Sequence, residues 1–348
     1  MTKQSHPYKK IFEFLTIIIL FLLWKDITMK KNLIIQSNIV ICFYLLLLLF
    51  IGNLQADDSS FLKQEFNLAG KHSQETQFYI LKSELITYAL NGKRISNDIF
   101  KLYLQCVPAT ISKKNKDEYT CIKFLIKQGN APEVSVPALA NWSYLFSEGI
   151  DDKNQVFGIN HSQFENLKDM NGKVIPQDIA YHIYNAFIDF HSFCNVFAER
   201  TPNGKGIQDL RKIGQKIIHS AAFTEPPTNL GEYISKGSFF KNGEITLEFK
   251  GLSIVNDKQC ALIGFDSGES LFKMIMNPAP NMEIITIGSS HYIGDIYKDT
   301  SSNWVQKVTL NEIVVSETTM PMPPNKINSV SERSILILNV SKDEFFNK

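Results

Sequence analysis

The chain predicts an α+β fold: curled antiparallel β-sheet in two β regions, as one sheet or as two domains, with a helical unit between them in sequence and a signal peptide in front. Three observations carry this. Met29–Ala56 has the order of a secretory signal, with Lys30 and Lys31, then the apolar Ile39–Ile51, then Leu54-Gln55-Ala56 before the polar Asp57. Period-two alternation dominates Gln77–Lys127 and returns after Gly231. Between them, Ile179, Ile183, Phe187, Phe190, Cys194 and Phe197 recur at helical spacing.

The N-terminus admits two readings. If translation begins at Met29, residues 1–28 are an upstream extension and 29–56 a cleaved signal. If it begins at Met1, the apolar runs Ile11–Trp24 and Ile39–Ile51 are membrane segments. Each run is shorter than the roughly 18–20 residues that span a bilayer. The first also carries Glu13, which is costly in lipid. The three-part pattern favours the Met29 start. The exported part then divides at 57–228, hairpins followed by helices, and 229–348, an antiparallel meander.

The first strand is QFYILKSELITYAL, closed by Asn91-Gly92, a type I′ signal because both central positions of that turn need positive φ. Phe100, Leu102, Leu104 and Cys106 alternate with polar partners in the second strand. Ser112–Asp117 is a solvated loop, and Tyr119–Lys127 a third strand. Ala138–Phe223 reads as largely helical. One helix follows Pro176 and ends at Thr201–Gly204; a second runs over Ile207–Ala222, before the prolines at 226 and 227. Further strands are expected at Ile245–Phe249, Gln259–Phe265, Leu271–Met276, Glu283–Ile287, Tyr292–Tyr297, Trp304–Val308, Glu312–Glu317 and Ser334–Val340. Asn256-Asp257 and Asp266–Gly268 are turns, and Met320–Pro324 is a connector.

Six of the 36 basic and two of the 35 acidic residues precede Asp57, so the exported part carries a net charge of −3. With no basic run, nucleic acid is not an expected partner. Cys106, Cys121, Cys194 and Cys260 are an even set, and export permits the bridges Cys106–Cys121 and Cys194–Cys260. Strand parity opposes the first: Cys106 shares a face with Leu104, and Cys121 one with Lys123. The bland alternative is four buried thiols. No CxxC spacing is present, and neither metal nor cofactor is expected.

Two clusters could carry chemistry. Gly288–Tyr297 contains Ser289, His291 and Asp295, the residue types of a nucleophile, a base and its orienting acid, but no nucleophile elbow. The bland reading is a bent hairpin relieved by its glycines. On the helix, His182, Asn185 and Asp189 share a face and could hold a polar ligand; the bland reading is a satisfied polar flank. Asp169–Gly172 lacks the later acid of a calcium loop, and Asn203–Gly206 lacks the ending of a phosphate loop. Asn141-Trp142-Ser143 and Asn339-Val340-Ser341 match the glycosylation triplet. The leading expectation is a periplasmic or secreted non-enzymatic protein that binds an apolar small molecule or an envelope protein. The alternatives are an exported hydrolase using His291 with Ser289 or Asp295, and an envelope protein tethered through its N-terminal segments.

Overall fold

The structure, a computed structural model, describes residues 63–148, 150–152, 155–198, 205–225, 235–279, 282–323 and 325–347. The signal peptide expected at 29–56 lies outside them. The first elements are β1 (Gln77–Tyr88), β2 (Arg94–Val107), α1 (Ala109–Ser112) and β3 (Glu118–Gln128). Short pieces follow: β4 (Val134–Ser135), β5 (Trp142–Leu145), β6 (Ile150–Asp152), β7 (Gln155–Val156) and β8 (Ile159–Asn160). Then come α2 (Gln177–His191), β9 (Lys216–Ile218), β10 (Phe239–Lys241), β11 (Thr246–Val255) and β12 (Lys258–Asp266). The chain closes with β13 (Ser270–Ala279), β14 (Met282–Asp299), β15 (Val305–Thr319), β16 (Lys326–Val340) and α3 (Lys342–Asn347).

The two β regions form one antiparallel sheet of 13 strands, in the order β4-β3-β2-β1-β16-β15-β14-β12-β11-β9, with β5 beside β3 and β13 and β10 beyond β14. The join is β1 against β16, paired from Phe78–Val340 to Tyr88–Val330. β6, β7 and β8 make a separate small sheet. β12 and β13 run along opposite halves of β14, separated by a kink at Ser267–Glu269. The ladder survives the kink because Ser267 bonds Tyr292 twice: its N–H donates to the carbonyl, and its hydroxyl accepts from the N–H, both at 2.9 Å.

α2 follows Pro176, whose extended backbone cannot continue a helix backwards. Its apolar stripe, Ile179, Ile183, Phe187 and Phe190, is buried on one face of the sheet, called inner here. There Phe187 stacks on Phe124, and Phe190 meets Tyr79 and Tyr119 edge-on. Burying each such ring contributes about 1.5–3 kcal/mol. The outer face is covered at one end by α3, whose Phe345 packs on Phe78, Tyr103 and Val340. A strap preceding β1 closes the inner side. Its Leu68 carbonyl accepts from buried Lys298, which also donates to Ala198 beyond α2.

Several expectations need correction. The Ala138–Phe223 region is not largely helical; besides α2 it holds short 3-10 turns, a π-helical turn at Ser192–Val196 and strand fragments. The second helix is absent. Ile207–Asp209 is a single 3-10 turn, Gly214 takes φ +84°, and Lys216–Ile218 becomes β9, because the edge of β11 offers it backbone partners. Gly288–His291 is not a hairpin bend. β14 is one 18-residue strand, and β15 likewise merges two expected strands. Gly288 lets β15 come close: a Cβ there would meet the Val315 carbonyl at 2.5 Å. The Asn91-Gly92 hairpin forms without a type I′ turn, since only Gly92 of the pair has positive φ. Asn256-Asp257 does take that form, with φ of +51° and +59°.

Cys106, Cys121, Cys194 and Cys260 are buried free thiols, so neither expected bridge is present. Cys106 and Cys121 nevertheless share a face, contrary to simple alternation. A bulge leaves Ile122 unpaired between Tyr103–Lys123 and Leu104–Cys121, which turns Cys121 to the inner face with Cys106. The two still stand diagonally, because Cys106 faces Tyr119. Diagonal neighbours lie about 7–8 Å apart, their Cβ atoms somewhat less, still beyond the roughly 4 Å between the Cβ atoms of a disulfide.

Candidate functional site

The apolar inner face ends where α2 and three strands bring polar groups together. Arg333 of β16 stands directly opposite Glu312 of β15, and Glu312 opposite Tyr292 of β14. Arg333 Nε donates to Glu312 Oε2 at 2.6 Å, and its Nη1 donates to Asp189 Oδ2 of α2. Ser290 Oγ of β14 donates to Glu312 Oε1 at 2.5 Å. The helix is thus tied to the sheet through a guanidinium between two carboxylates. Side-chain exposures of 17% for Arg333, 15% for Asp189 and 9% for Glu312 leave this group reached by solvent only at its margin.

Burial sets the electrostatics. It works to raise the Glu312 pKa, but the Arg333 charge and the Ser290 bond outweigh it, and Glu312 is held below the usual carboxylate range. Burial also acts on Asp189, where Arg333 recovers only part of the loss, and its carboxyl lies above that range. His182 is pushed down to about 4 by burial and by Arg333, so it is neutral at pH 7. Burial raises Tyr181, which lies against Asn185. Tyr292 is raised too, by burial and then by Glu312 and Asp189. Arg333 thus stands between Glu312, whose ionised form it favours, and Asp189, whose ionised form burial disfavours.

Past this cluster the inner face is lined with hydroxyls paired across strands: Thr87 with Ser331 at 3.4 Å, Ser316 with Ser329 at 3.0 Å and Thr286 with Thr318 at 2.9 Å. Such pairs stabilise a sheet by themselves, roughly 0.2–1 kcal/mol each.

His182, Asn185 and Asp189 therefore fall where the helical spacing put them, along one side of α2 facing the Arg333 cluster. Ser289, His291 and Asp295 share the outer face of β14 but do not come together. His291 Nε2 bonds Asp266 Oδ1 at 2.8 Å, and Asp295 accepts from Lys250 Nζ at 2.7 Å. Arg333, Glu312 and Ser290 escaped the sequence reading because their partners are remote. One signal existed: Arg333 occupies the same parity as Ile335 and Ile337, so the buried face of β16 carries a charge. Among the described residues no three His, Cys, Asp or Glu side chains gather as a metal site. No described helix is long and apolar enough to cross a membrane.

Fold and site together define a class, a large antiparallel sheet with one long helix on its inner face and a charged cluster at their junction. No protein-family model matches the chain, and no curated protein matches it.

Proposed function

We propose that the chain is an exported, non-enzymatic binding protein whose ligand is a small polar molecule held beside Arg333, where α2 meets β14, β15 and β16. The observation that carries this is the guanidinium itself. Nε and Nη1 are committed to the two carboxylates, while Nη2 has no hydrogen-bond partner among the described residues. Tyr181, Tyr292 and neutral His182 all feel its charge. A ligand there must offer an acceptor to Nη2 and need not be anionic, because two carboxyl groups already face the guanidinium.

A polar ligand is favoured over an apolar one because the apolar interior is already filled. Tyr119, Phe124, Phe187 and Phe190 are each at most 1% exposed. Curling of the sheet supports a site enclosed from two sides. Phe187 touches Phe124 of β3, while Phe193, six residues on, stacks on Phe265 of β12. In a flat sheet those strands would lie six spacings, roughly 29 Å, apart; six helical residues advance only about 9 Å. Non-catalytic function fits the separate partners of His291 and Asp295. Export rests on Met29–Ala56, and an uncleaved chain would be tethered instead.

Native mass spectrometry of the protein purified from its own cells tests the reading. A bound small molecule is expected, released more readily from Asn185→Ala by the roughly 1 kcal/mol of one hydrogen bond, with the fold kept by circular dichroism. Empty protein, or equal retention in the variant, would count against it.

A further inference from the structure

We infer that the outer face of β13, β14 and β15 is a self-association surface, and that its occupant is a second copy of this chain. Leu271, Ile287, Ile293, Ile313 and Val315 all point to that face and remain 47–57% exposed. They are neighbours in register. Leu271 faces Ser289, which faces Val315; Val315 in turn faces Val330. Half-buried Ile275 and Ile285 pair at one end, and Ile86 lies across Glu332 from Ile313. The strands themselves read as buried on both sides: Leu271–Met276 is apolar except for Lys273, and Ile284–Ile287 except for Thr286. α3 covers one end of the outer face; here about half of each side chain is left in solvent.

Charge and area select the partner. Around the patch Lys326 pairs with Glu317 at 2.8 Å, Lys250 pairs with Asp295 at 2.7 Å and His291 Nε2 bonds Asp266 Oδ1 at 2.8 Å, while Lys273, opposite Ile287, and Glu332, opposite Ile313 and bonded by the Tyr88 hydroxyl at 3.1 Å, leave one charge of each sign. Such a face gains little from an anionic membrane or a charged protein. Against its own copy it meets little like-charge repulsion. With strands about 4.8 Å apart and residues about 3.4 Å apart, the patch from Ile285 to Ile293 and from β13 to β1 measures roughly 27 by 19 Å. That is on the order of 500 Å² per copy, so a two-fold pair of sheets stacked face to face buries about 1,000 Å², the lower bound of a specific interface.

Sedimentation equilibrium of the protein as purified decides it, run beside Val315→Lys, Ile287→Lys and a distant control, Ile254→Lys, whose side chain is also exposed on β11. The expected result is a reversible dimer at micromolar concentration, weakened at least tenfold by either patch lysine and untouched by the control. All variants should keep the parent circular dichroism and thermal midpoint. A wild-type protein that stays monomeric to about 100 μM, a dimer that survives both patch lysines, or a monomer that instead sediments with neutral or anionic phospholipid vesicles overturns the proposal.

Discussion

His191 has no exposed surface, and every polar atom of its ring is spoken for. Asn195 Nδ2 donates to the Tyr119 hydroxyl at 3.1 Å, which leaves Asn195 Oδ1 as the acceptor for His191 Nδ1–H at 2.8 Å. Nε2 then accepts from the Tyr144 hydroxyl, also at 2.8 Å. Rings of Tyr119, Phe146, Phe157 and Phe190 surround it. Burial pushes its pKa down to about 3, against a smaller opposing effect of Asn195. The unfolded chain therefore binds a proton at this site below about pH 6.5 that the folded chain refuses, so stability falls as the solution is acidified. From pH 6.5 to 5 the loss is about 2 kcal/mol from this residue. His219 and His182, both lowered to about 4 chiefly by burial, act in the same direction. Denaturant unfolding at pH 7 and pH 5 should show the loss, and His191→Phe should be less stable at pH 7 yet lose about 2 kcal/mol less on acidification. Equal pH dependence in the two proteins would contradict this account. His191 is one residue beyond the α2 stripe, and nothing in its local pattern marks it as buried; its burial comes from β3 and β5, which are distant in sequence.

At the scale of elements, β14 shows how a glycine can mislead. Gly288 and Gly294 read as punctuation, yet both lie inside an unbroken strand. A Cβ on Gly294 would stand 1.9 Å from the Thr309 carbonyl and 2.6 Å from the Phe265 ring. The residue is small because two neighbours press on it, which no local pattern reveals. Gly294→Ala is expected to cost at least about 2 kcal/mol by forcing β14 and β15 apart. A thermal melt of the variant measures it, and an unchanged midpoint would show that the strands yield without strain. Helical spacing was reliable for α2, where the stripe is long. It failed over Ile207–Ala222, where Leu210, Ile213 and Ile217 fit a helix equally well but Gly214 turns the chain and the β11 edge takes up Lys216–Ile218. The bulge at Ile122 is a similar case: alternation predicts facing only while pairing stays in step.

On the scale of the whole molecule, the halves before and after α2 cannot be separated along the sequence. β1 takes β16 as its neighbour from Phe78 to Tyr88, and Trp304 donates its indole N–H to the Ser73 carbonyl of the strap at 2.9 Å. A fragment ending near Pro226 loses β16 and with it Arg333, leaving Asp189 buried without its cation. Such a fragment should show no cooperative unfolding transition by circular dichroism in urea. A sharp transition would establish the first half as a domain of its own. Read alone, the sequence determined the antiparallel strands, their rough positions, the long helix after Pro176, its buried stripe and the shared face of His182, Asn185 and Asp189. These follow from side-chain spacing within a few residues. Only the tertiary structure decided that the β regions make one sheet, that β14 and β15 are unbroken, that the cysteines stay apart, and that Arg333 stands between Glu312 and Asp189. Those outcomes depend on partners as remote as Thr87 and Ser331, 244 residues apart. Remote strands are matched by packing and register summed over the whole face, a property that no single stretch of sequence holds.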